Sequence, residues 1–548
     1  MSATIDTTQI IDTTQIIDIT QPTNTTLPTN TTRTNKPQVL LLYPKTGMDF
    51  GSTIAPPHAL LAIAAPLLKK GYHVKILDQR VELITPDILR QYISNDLICV
   101  GISTMSGTQI FFALMLAKMM RKLTDGNVPL VWGGCHPSVT PEQTLENENV
   151  DYVVSGEGDL TFLELIESFQ GLRELSGIEG IYWKNGSEIM ETEGRPLLDV
   201  DELLPVPWEL VNVEAYIHRD MYIQDRRRTL DIGQTSRGCP FNCGFCSSAS
   251  IRKRRWRPVN SETTVEQITD VVRRFNLDGF WLRDDEFYIN RKRSNEIFEG
   301  MIQNELDVSF YTSGTRCDVF ARATDDEIKT MKQAGAHTLK FGAESGNQRV
   351  LDLMIKGITV EQTLEANRRC KKHGITPCFG LIVGYPTEQF HEIDDTLDLA
   401  NQIKRENSGA QLETMTTYTA LPGTPDWQLA LKHGLQSPNS LEEWIEWNFD
   451  EYDLEGKKIP WFETKKERIW IGNISYMSIL ANALENVAGS AGSKLIRYAA
   501  QAVSKPVSKY YKERLKRKAY RFAPELAVVR TMREKIFYKN EKTVGVTS

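Results

Sequence analysis

From residue 37 to about 185, short continuously apolar segments alternate with stretches of helix length, and few architectures accept that alternation. VLLLYP (39–44) precedes a helical stretch at 57–70 that Gly71 closes. HVKILD (73–78) precedes one near 86–93, and DLICVGIS (96–103) precedes one at 108–122. PLVWGG (129–134) and DYVVSGEG (151–158) complete the set. Strands that are apolar on both faces belong in parallel sheets covered by helices on both sides. Ligands bind such sheets beyond the carboxyl ends of the strands, where Gly-rich turns let backbone come close. Three turns fall there: Gly101-Ile102-Ser103-Thr104, Gly133-Gly134-Cys135-His136-Pro137 and Ser155-Gly156-Glu157-Gly158. No G-x-G-x-x-G follows the first strand, so the usual dinucleotide fingerprint is missing.

A second series of strand signals begins at 229–236 and continues at 279–284, 307–314, 337–344, 376–384 and 412–421. The intervals carry helix punctuation. Ser261 precedes Val265, Ile268, Val272 and Phe275 at helical spacing. Thr324 with Glu327, and Thr359 with Gln362, read as capping boxes, while Gly335 and Gly374 stop the helices before them. Six β/α units make a partial barrel, whose function gathers at the carboxyl ends of its strands. The expected fold is α/β: a Rossmann-like parallel-sheet domain, then a partial (β/α)6 TIM-like barrel, then a mainly helical C-terminal region.

Three of the eight cysteines fall within eight residues, as Cys239-Pro-Phe-Asn-Cys243-Gly-Phe-Cys246. Soft thiolates at this spacing select iron–sulfur or zinc over hard cations. A closed zinc site or a ferredoxin-type cluster wants four ligands, and only three are local. Either a distant Cys or His completes a structural zinc site, or one metal position stays open to a small molecule. Pro240 stiffens the loop and Gly244 permits a close approach. Cys317, Cys370 and Cys378 lack ligand spacing and read as core, although Cys378 shares the parity of Gly380 and Ile382.

Composition narrows the classes further. With 548 residues, 41% hydrophobic and 25% charged, the chain is globular and long enough for about three domains. No apolar run approaches the roughly 18 residues of a membrane-spanning helix. Residues 1–36, with repeated TTQIID and PTNTT, read as a disordered leader without the marks of a secretory signal. The cysteines suit a reducing cytoplasm. Residues 494–548 hold 15 Lys+Arg and 4 Asp+Glu, a net of +11, which leaves −18 on the remainder of a −7 chain. That tail reads either as a solvated helical segment or as a peripheral contact with anionic lipid headgroups. No nucleic-acid fold signature accompanies the bases.

The segment SRGCPFNCGFC (236–246) resembles the radical S-adenosylmethionine superfamily, in its cobalamin-domain branch. In that family the three cysteines hold a 4Fe-4S cluster whose open iron binds the amino and carboxylate groups of S-adenosylmethionine. The resemblance assigns Cys239, Cys243 and Cys246 as metal ligands. It aligns Asp285 and Glu286, from Asp284-Asp285-Glu286, with the position that holds the methionine amino group. Glu344 and Ser345, within Gly342–Gly346, match the ribose and carboxylate contact, and Gly380, Ile382 and Gly384 match the adenine contact. Arg316 pairs with the methionine carboxylate or, equally, with Asp318. Leu421–Pro425 fits the sixth strand end.

The first unit is similar to the cobalamin-binding domain that precedes such barrels, through Pro56-Pro57, GGCHPSVTP (133–141) and DYVVSGEGD (151–159). Gly133, Gly134, His136 and Gly156 are its implied cofactor contacts. The Asp-x-His-x-x-Gly signature is absent, since His58, His73 and His136 all lack an Asp two residues earlier, so the lower cobalt face is expected without a His ligand. The alternative is a degenerate Rossmann-like domain with a structural His136 and a core Cys135. The implied division is leader 1–36, cobalamin domain 37–185, linker 186–226, radical barrel 227–440 and basic helical region 441–548.

The implied chemistry is reductive cleavage of S-adenosylmethionine to a 5'-deoxyadenosyl radical, with cobalamin then supplying a methyl group to an unactivated carbon of a small-molecule substrate. The electron comes from a reductase or from a flavodoxin or ferredoxin. Relatives that resemble the anaerobic magnesium-protoporphyrin monomethyl ester cyclase close a ring instead, and a non-catalytic cobalamin or redox sensor is the reading from another class. Trp444, Trp447, Trp461, Phe462 and Trp470 either serve a large hydrophobic substrate or pack a helical C-terminal region.

Overall fold

The computed structural model describes residues 36–46, 54–219, 222–223, 225–447, 457–490 and 494–527, with backbone alone over 483–490 and 494–500. The leader, Lys36 apart, and the end of the basic tail therefore lie outside the described residues.

Strands β1 (Val39–Tyr43), β2 (Val74–Asp78), β3 (Cys99–Ser103), β4 (Leu130–Gly133) and β5 (Tyr152–Val154) form a parallel sheet in the order β2-β1-β3-β4-β5. Val39, Leu40, Leu41 and Leu42 are wholly buried, as a strand covered on both faces requires. The order reverses at β1, so the crevice between the ends of β1 and β3 is where such a sheet receives a ligand. Sequence reading ended the sheet at β5. The structure adds an antiparallel hairpin, β6 (Ile181–Asn185) and β7 (Glu188–Glu191), turned by Gly186 at φ 65°. Asn185-Gly186 was a legible hairpin signal.

The second sheet is built from β8 (Thr229–Gly233), β9 (Gly279–Leu282), β10 (Ser309–Thr315), β11 (Ala336–Glu344) and β12 (Thr376–Val383), all parallel and neighbours in chain order. The sixth strand, expected as continuous over 412–421, is two short pieces: β13 (Gln411–Leu412) and β14 (Thr416–Thr417), both paired with β12. The break has a cause. Met415 N–H donates to Ser478 Oγ (2.8 Å) and Thr417 Oγ1 meets Ser475 Oγ (3.0 Å), so helix Lys465–Ser490 takes partners a strand would have kept. Both expected capping boxes form, at Thr324 and Thr359, and Gly374 ends its helix in left-handed backbone.

The cores cross from unit to unit. Leu230 of β8 packs with Leu60, Leu61 and Ala64 beside the first sheet, and Trp444 and Trp447 join the core of Leu40, Val100 and Trp132. The aromatic cluster packs rather than lining an open site. Trp444 Nε1 donates to Gln143 Oε1, Trp447 Nε1 to Ala420 O (2.7 Å) and Trp461 Nε1 to Gly384 O (3.0 Å). Among the described residues no helix is long and apolar enough to cross a membrane.

Candidate functional site

The three clustered cysteines occupy a loop between strand pair Ser236–Arg237/Arg257–Pro258 and helix Ser248–Ile251. Neighbours hold that loop by its backbone. Gly244 N–H donates to Met354 O (2.8 Å), and Gly244 O accepts from Asp426 N–H (3.0 Å). A Cβ at Gly244 would displace the Asp426 carboxylate, so glycine lets that side chain lie against the loop. Asp426 itself accepts from the Tyr385 hydroxyl (2.5 Å). Burial pushes the Cys239 thiol up to about 12 and raises that of Cys246, although backbone N–H groups of Phe241 and Ser248 work the other way. Thiols this disfavoured as anions become ligands when a cationic metal centre compensates their charge.

Two buried cations flank Cys243. The Arg316 guanidinium lies 3.7 Å over the Phe241 ring, with Nη1 3.7 Å from Cys243 Sγ. Its other donors are committed, Nε to Asp318 Oδ1 (2.9 Å) and Nη2 to Lys356 O (2.6 Å). Arg316 thus pairs with Asp318, one of the two partners expected for it. Lys356 Nζ donates to Glu344 Oε1 (2.7 Å) and sits 5.6 Å from the Phe245 ring centre. Burial opposes the Lys356 charge, but Glu344 and Cys243 outweigh it and raise the ammonium above its ordinary range. Each cation is already matched by a carboxylate, so what they bring to the loop is N–H donors, and Arg316 Nη1 aimed at the Cys243 sulfur fits a thiolate ligand of a cluster there.

The three adjacent acids at the end of β9 have separate fates. Asp284 is buried and accepts from Thr235 N–H, Thr235 Oγ1 and Ser236 Oγ, tying the end of β8 to β9. Asp285 is exposed and accepts from Ser248 Oγ (2.6 Å). Glu286 is 1% exposed, its Oε1 accepts only from Tyr288 N–H (3.1 Å), and its Oε2 has no hydrogen-bond partner among the described residues. Burial pushes its carboxyl up to about 8 despite the attraction of Arg316 and Lys356. The Glu286 charge is felt at Cys239, so an unfilled carboxylate oxygen stands beside the cluster loop. An ammonium group would satisfy it. Gly314 makes room, since a Cβ there would collide with the carbonyls of Asp284 and Asp285.

Gly342 and Gly380 pair across β11 and β12, leaving a strip of bare backbone. A Cβ at Gly342 would collide with the Glu344–Lys356 pair, and one at Gly380 would lie 3.4 Å from Glu413 Oε2. Glu344 takes left-handed backbone at φ 60°. Ser345 Oγ accepts from Asn347 N–H (3.1 Å) and meets Thr396 Oγ1 (3.2 Å), so it is committed within its turn. Ile382 is half-buried opposite Thr416. Gly384, at φ 83°, donates its N–H to Glu388 Oε2 (2.6 Å) and lies against Ile471 of helix Lys465–Ser490. The structure thus gathers the cysteine loop, Glu286, Arg316 and Glu344, while Ser345 and Gly384 are held in turns.

In the first domain, Gly134 (φ 99°) has no room for a Cβ against Thr104 and Ser103, Gly133 precedes it at the end of β4, and Gly156 (φ 83°) donates its N–H to Ser138 Oγ (2.9 Å). His136 is buried with both ring nitrogens engaged, Nδ1 with Ser106 Oγ (2.9 Å) and Nε2 with Thr140 Oγ1 (3.1 Å). Burial pulls it down to about 3, so it is a neutral support. Cys135, by contrast, is exposed.

Sequence reading missed the seam between the units. Glu157, just past β5, accepts from Arg252, from Arg257 (2.5 Å) and from Leu198 N–H (3.2 Å), and Arg237 lies 3.6 Å away. Asp159 takes both ends of Arg237 (3.0 and 2.8 Å). These arginines stand on either side of the cysteine loop. Lys356 was also missed, although a lone Lys in VLDLMIKGITV was its signal.

Residues 234–400 match the radical SAM superfamily and residues 52–166 the B12 binding domain. An uncharacterized methyltransferase of Pyrococcus horikoshii is 33% identical over 404 residues, which is 73% of this chain and 84% of that protein. The anaerobic magnesium-protoporphyrin IX monomethyl ester cyclase of Synechocystis is 26% identical over 337 residues, 61% of this chain and 65% of that enzyme. Among solved structures, the cobalamin-dependent S-adenosylmethionine radical enzyme OxsB, with aqua-cobalamin and S-adenosylmethionine bound, superposes with a TM-score of 0.70 at 19% identity, over 93% of this chain and 76% of that one. At that identity the likeness is one of fold.

Proposed function

Because the chain belongs to the cobalamin-dependent radical S-adenosylmethionine enzymes, we propose that it methylates an unactivated carbon of a hydrophobic or secondary-metabolite substrate. The observation that carries this reading is the seam: Glu157 and Asp159, at the carboxyl end of the first sheet, grip the arginines on both sides of the cysteine loop. A ligand at that end of the first sheet would then face the barrel's own ligands.

When bound, the 4Fe-4S cluster and cobalamin supply one-electron cleavage of S-adenosylmethionine and methyl transfer. The chain's residues do the positioning. Cys239, Cys243 and Cys246 would hold the cluster, and Arg316 Nη1 would donate to the Cys243 thiolate. Glu286 Oε2 would take the methionine ammonium, with exposed Asp285 at the rim. Glu344, already in its turn, would face the ribose, and the Gly342–Gly380 strip beside Ile382 would lie against adenine. Gly133, Gly134 and Gly156 would let backbone approach the corrin, with His136 supporting that turn from behind.

In this division 37–185, together with the hairpin strand at 188–191 that completes its sheet, serves the corrin, 227–440 the radical step and 441–548 the substrate side, with the protein in a reducing cytoplasm and fed by a reductase, flavodoxin or ferredoxin. A peripheral contact with anionic headgroups would use exposed Val503 and Tyr510, which lie near Lys505 and Lys509 in the same helix.

Anaerobic reconstitution with methyl-labelled S-adenosylmethionine tests the reading: label should enter the substrate, and Cys243→Ala should reduce 5'-deoxyadenosine to background. Product without label would make the enzyme an oxidative cyclase or coupling enzyme. An intact cluster that yields no 5'-deoxyadenosine would leave a sensor.

A further inference from the structure

Residues 252–257 read RKRRWR, five bases and no acid, beginning six residues after Cys246. The two ends of this run are spent: Arg252 and Arg257 both go to Glu157. The middle three, Lys253, Arg254 and Arg255, are exposed, and none forms an ion pair among the described residues. They sit on a tight turn in which Lys253 and Arg254 both take left-handed backbone, φ 51° and 55°. The turn is backed directly onto the cluster loop, because Arg255 O packs so closely on Gly238 that a Cβ there would collide with it. Gly238 immediately precedes Cys239.

This is a local positive spot on an acidic body, since residues 1–493 carry a net −18. An acidic protein is attracted both to this turn and to the +11 segment 494–548, and it is the turn that is backed onto the cysteine loop, so charge here steers encounter toward the cluster site rather than building a large interface. Complexes that pass electrons are of this small, charge-guided kind. We propose that the Lys253-Arg254-Arg255 turn docks an acidic one-electron donor of the flavodoxin or ferredoxin class. The inference rests on the radical-enzyme reading above. In the step it serves, the donor's reduced flavin or iron–sulfur group loses one electron, the cluster held by the neighbouring cysteines gains it, and no covalent bond forms or breaks. The three side chains themselves bind no substrate.

The test uses the full chain, a bacterial flavodoxin as probe, and the variants K253Q/R254Q/R255Q and K253E/R254E/R255E. Flavin fluorescence titration measures flavodoxin binding to the protein with and without its cofactors. In parallel, 5'-deoxyadenosine formation is compared between flavodoxin and dithionite as reductant. Binding and the flavodoxin-driven rate should each fall by about tenfold or more in the Gln variant and further in the Glu variant. The dithionite-driven rate should stay within about twofold, and added salt should bring wild type down toward the variants. Unchanged flavodoxin affinity and rate would overturn the proposal. Equal loss with both reductants, with a raised KM for the methylated substrate, would also overturn it and make the turn an anionic-substrate contact. If wild type forms no product with dithionite, the radical-enzyme reading fails, and the fluorescence titration alone then decides whether the turn binds flavodoxin.

Discussion

Two buried glutamates stand just beyond the ends of strands, Glu157 after β5 and Glu286 after β9, and their environments are opposite. Glu157 is 7% exposed, accepts from two arginines and a backbone N–H with a third arginine nearby, and is held down to about 2 although burial alone would raise it. Glu286 is 1% exposed, has one backbone N–H, and is pushed up to about 8. Burial acts in the same direction on both, so the partners decide the outcome. A saturated carboxylate holds structure together. An unsaturated one in a buried place carries a desolvation cost that only a ligand removes.

That contrast can be broken most forcefully at Glu157. E157Q leaves Arg252 and Arg257 without their counter-charge and should cost about 3–5 kcal/mol in urea denaturation, whereas E286Q removes a carboxyl that burial penalises and should cost nothing at neutral pH. Equal losses would mean that Glu286 is structural too.

The pH profiles of the cofactor-free protein should run in opposite senses. Glu157 has a depressed folded value, so its contribution is present above about 4.5 and is lost as pH falls toward about 2. Glu286 has a raised folded value, so stability is highest below about 4.5 and declines as pH rises to about 8. At about 1.4 kcal/mol per unit, each window spans a few kcal/mol. E286Q should flatten the neutral decline and E157Q the acid one, with stability followed against pH.

On ligand binding the ranking reverses. E286Q should weaken S-adenosylmethionine by about 10–100-fold in calorimetric titration of the reconstituted enzyme, the worth of one hydrogen bond to a charged group. E157Q, where folded, should leave that affinity within about threefold. Gly342→Ala, which displaces the Glu344–Lys356 pair, should cost about 1–3 kcal/mol of stability and loosen the same ligand less than E286Q does. At the bottom of the scale, Arg90→Ala at the exposed pair with Asp87 should change stability by less than about 0.5 kcal/mol.

How far the site could be read from the chain depended on reach. The cysteine loop, the strand-end glycines and the capping boxes at Thr324 and Thr359 are local patterns and were legible. Of the three acids at 284–286 the family resemblance singles out Glu286 and Asp285, but the residues themselves do not say which one is left unfilled. Asp284 and Asp285 are satisfied by Ser236 and Ser248, 48 and 37 residues away, and nothing local says which acid is left over. Arg316 reaches Cys243 across 73 residues, so its neighbour Asp318 was visible and the sulfur was not. The sixth strand looked continuous because Thr416, Thr417 and Met415 suit a strand, but their competition with Ser475 and Ser478 is a tertiary event. His136 is visible in its GGCHP turn, but the Ser106 hydroxyl on its Nδ1 comes from 30 residues away and is not.

By itself the sequence determined two parallel sheets, a three-thiolate loop and the strand ends on which chemistry would sit, because apolar period, cap and cysteine spacing act within a few residues of chain. The tertiary structure decided which carboxylate is filled and which is empty, how the first sheet is clamped to the cysteine loop, and which bases remain free beside it. Those are questions of charge and hydrogen-bond saturation, and saturation depends on groups that only folding brings together.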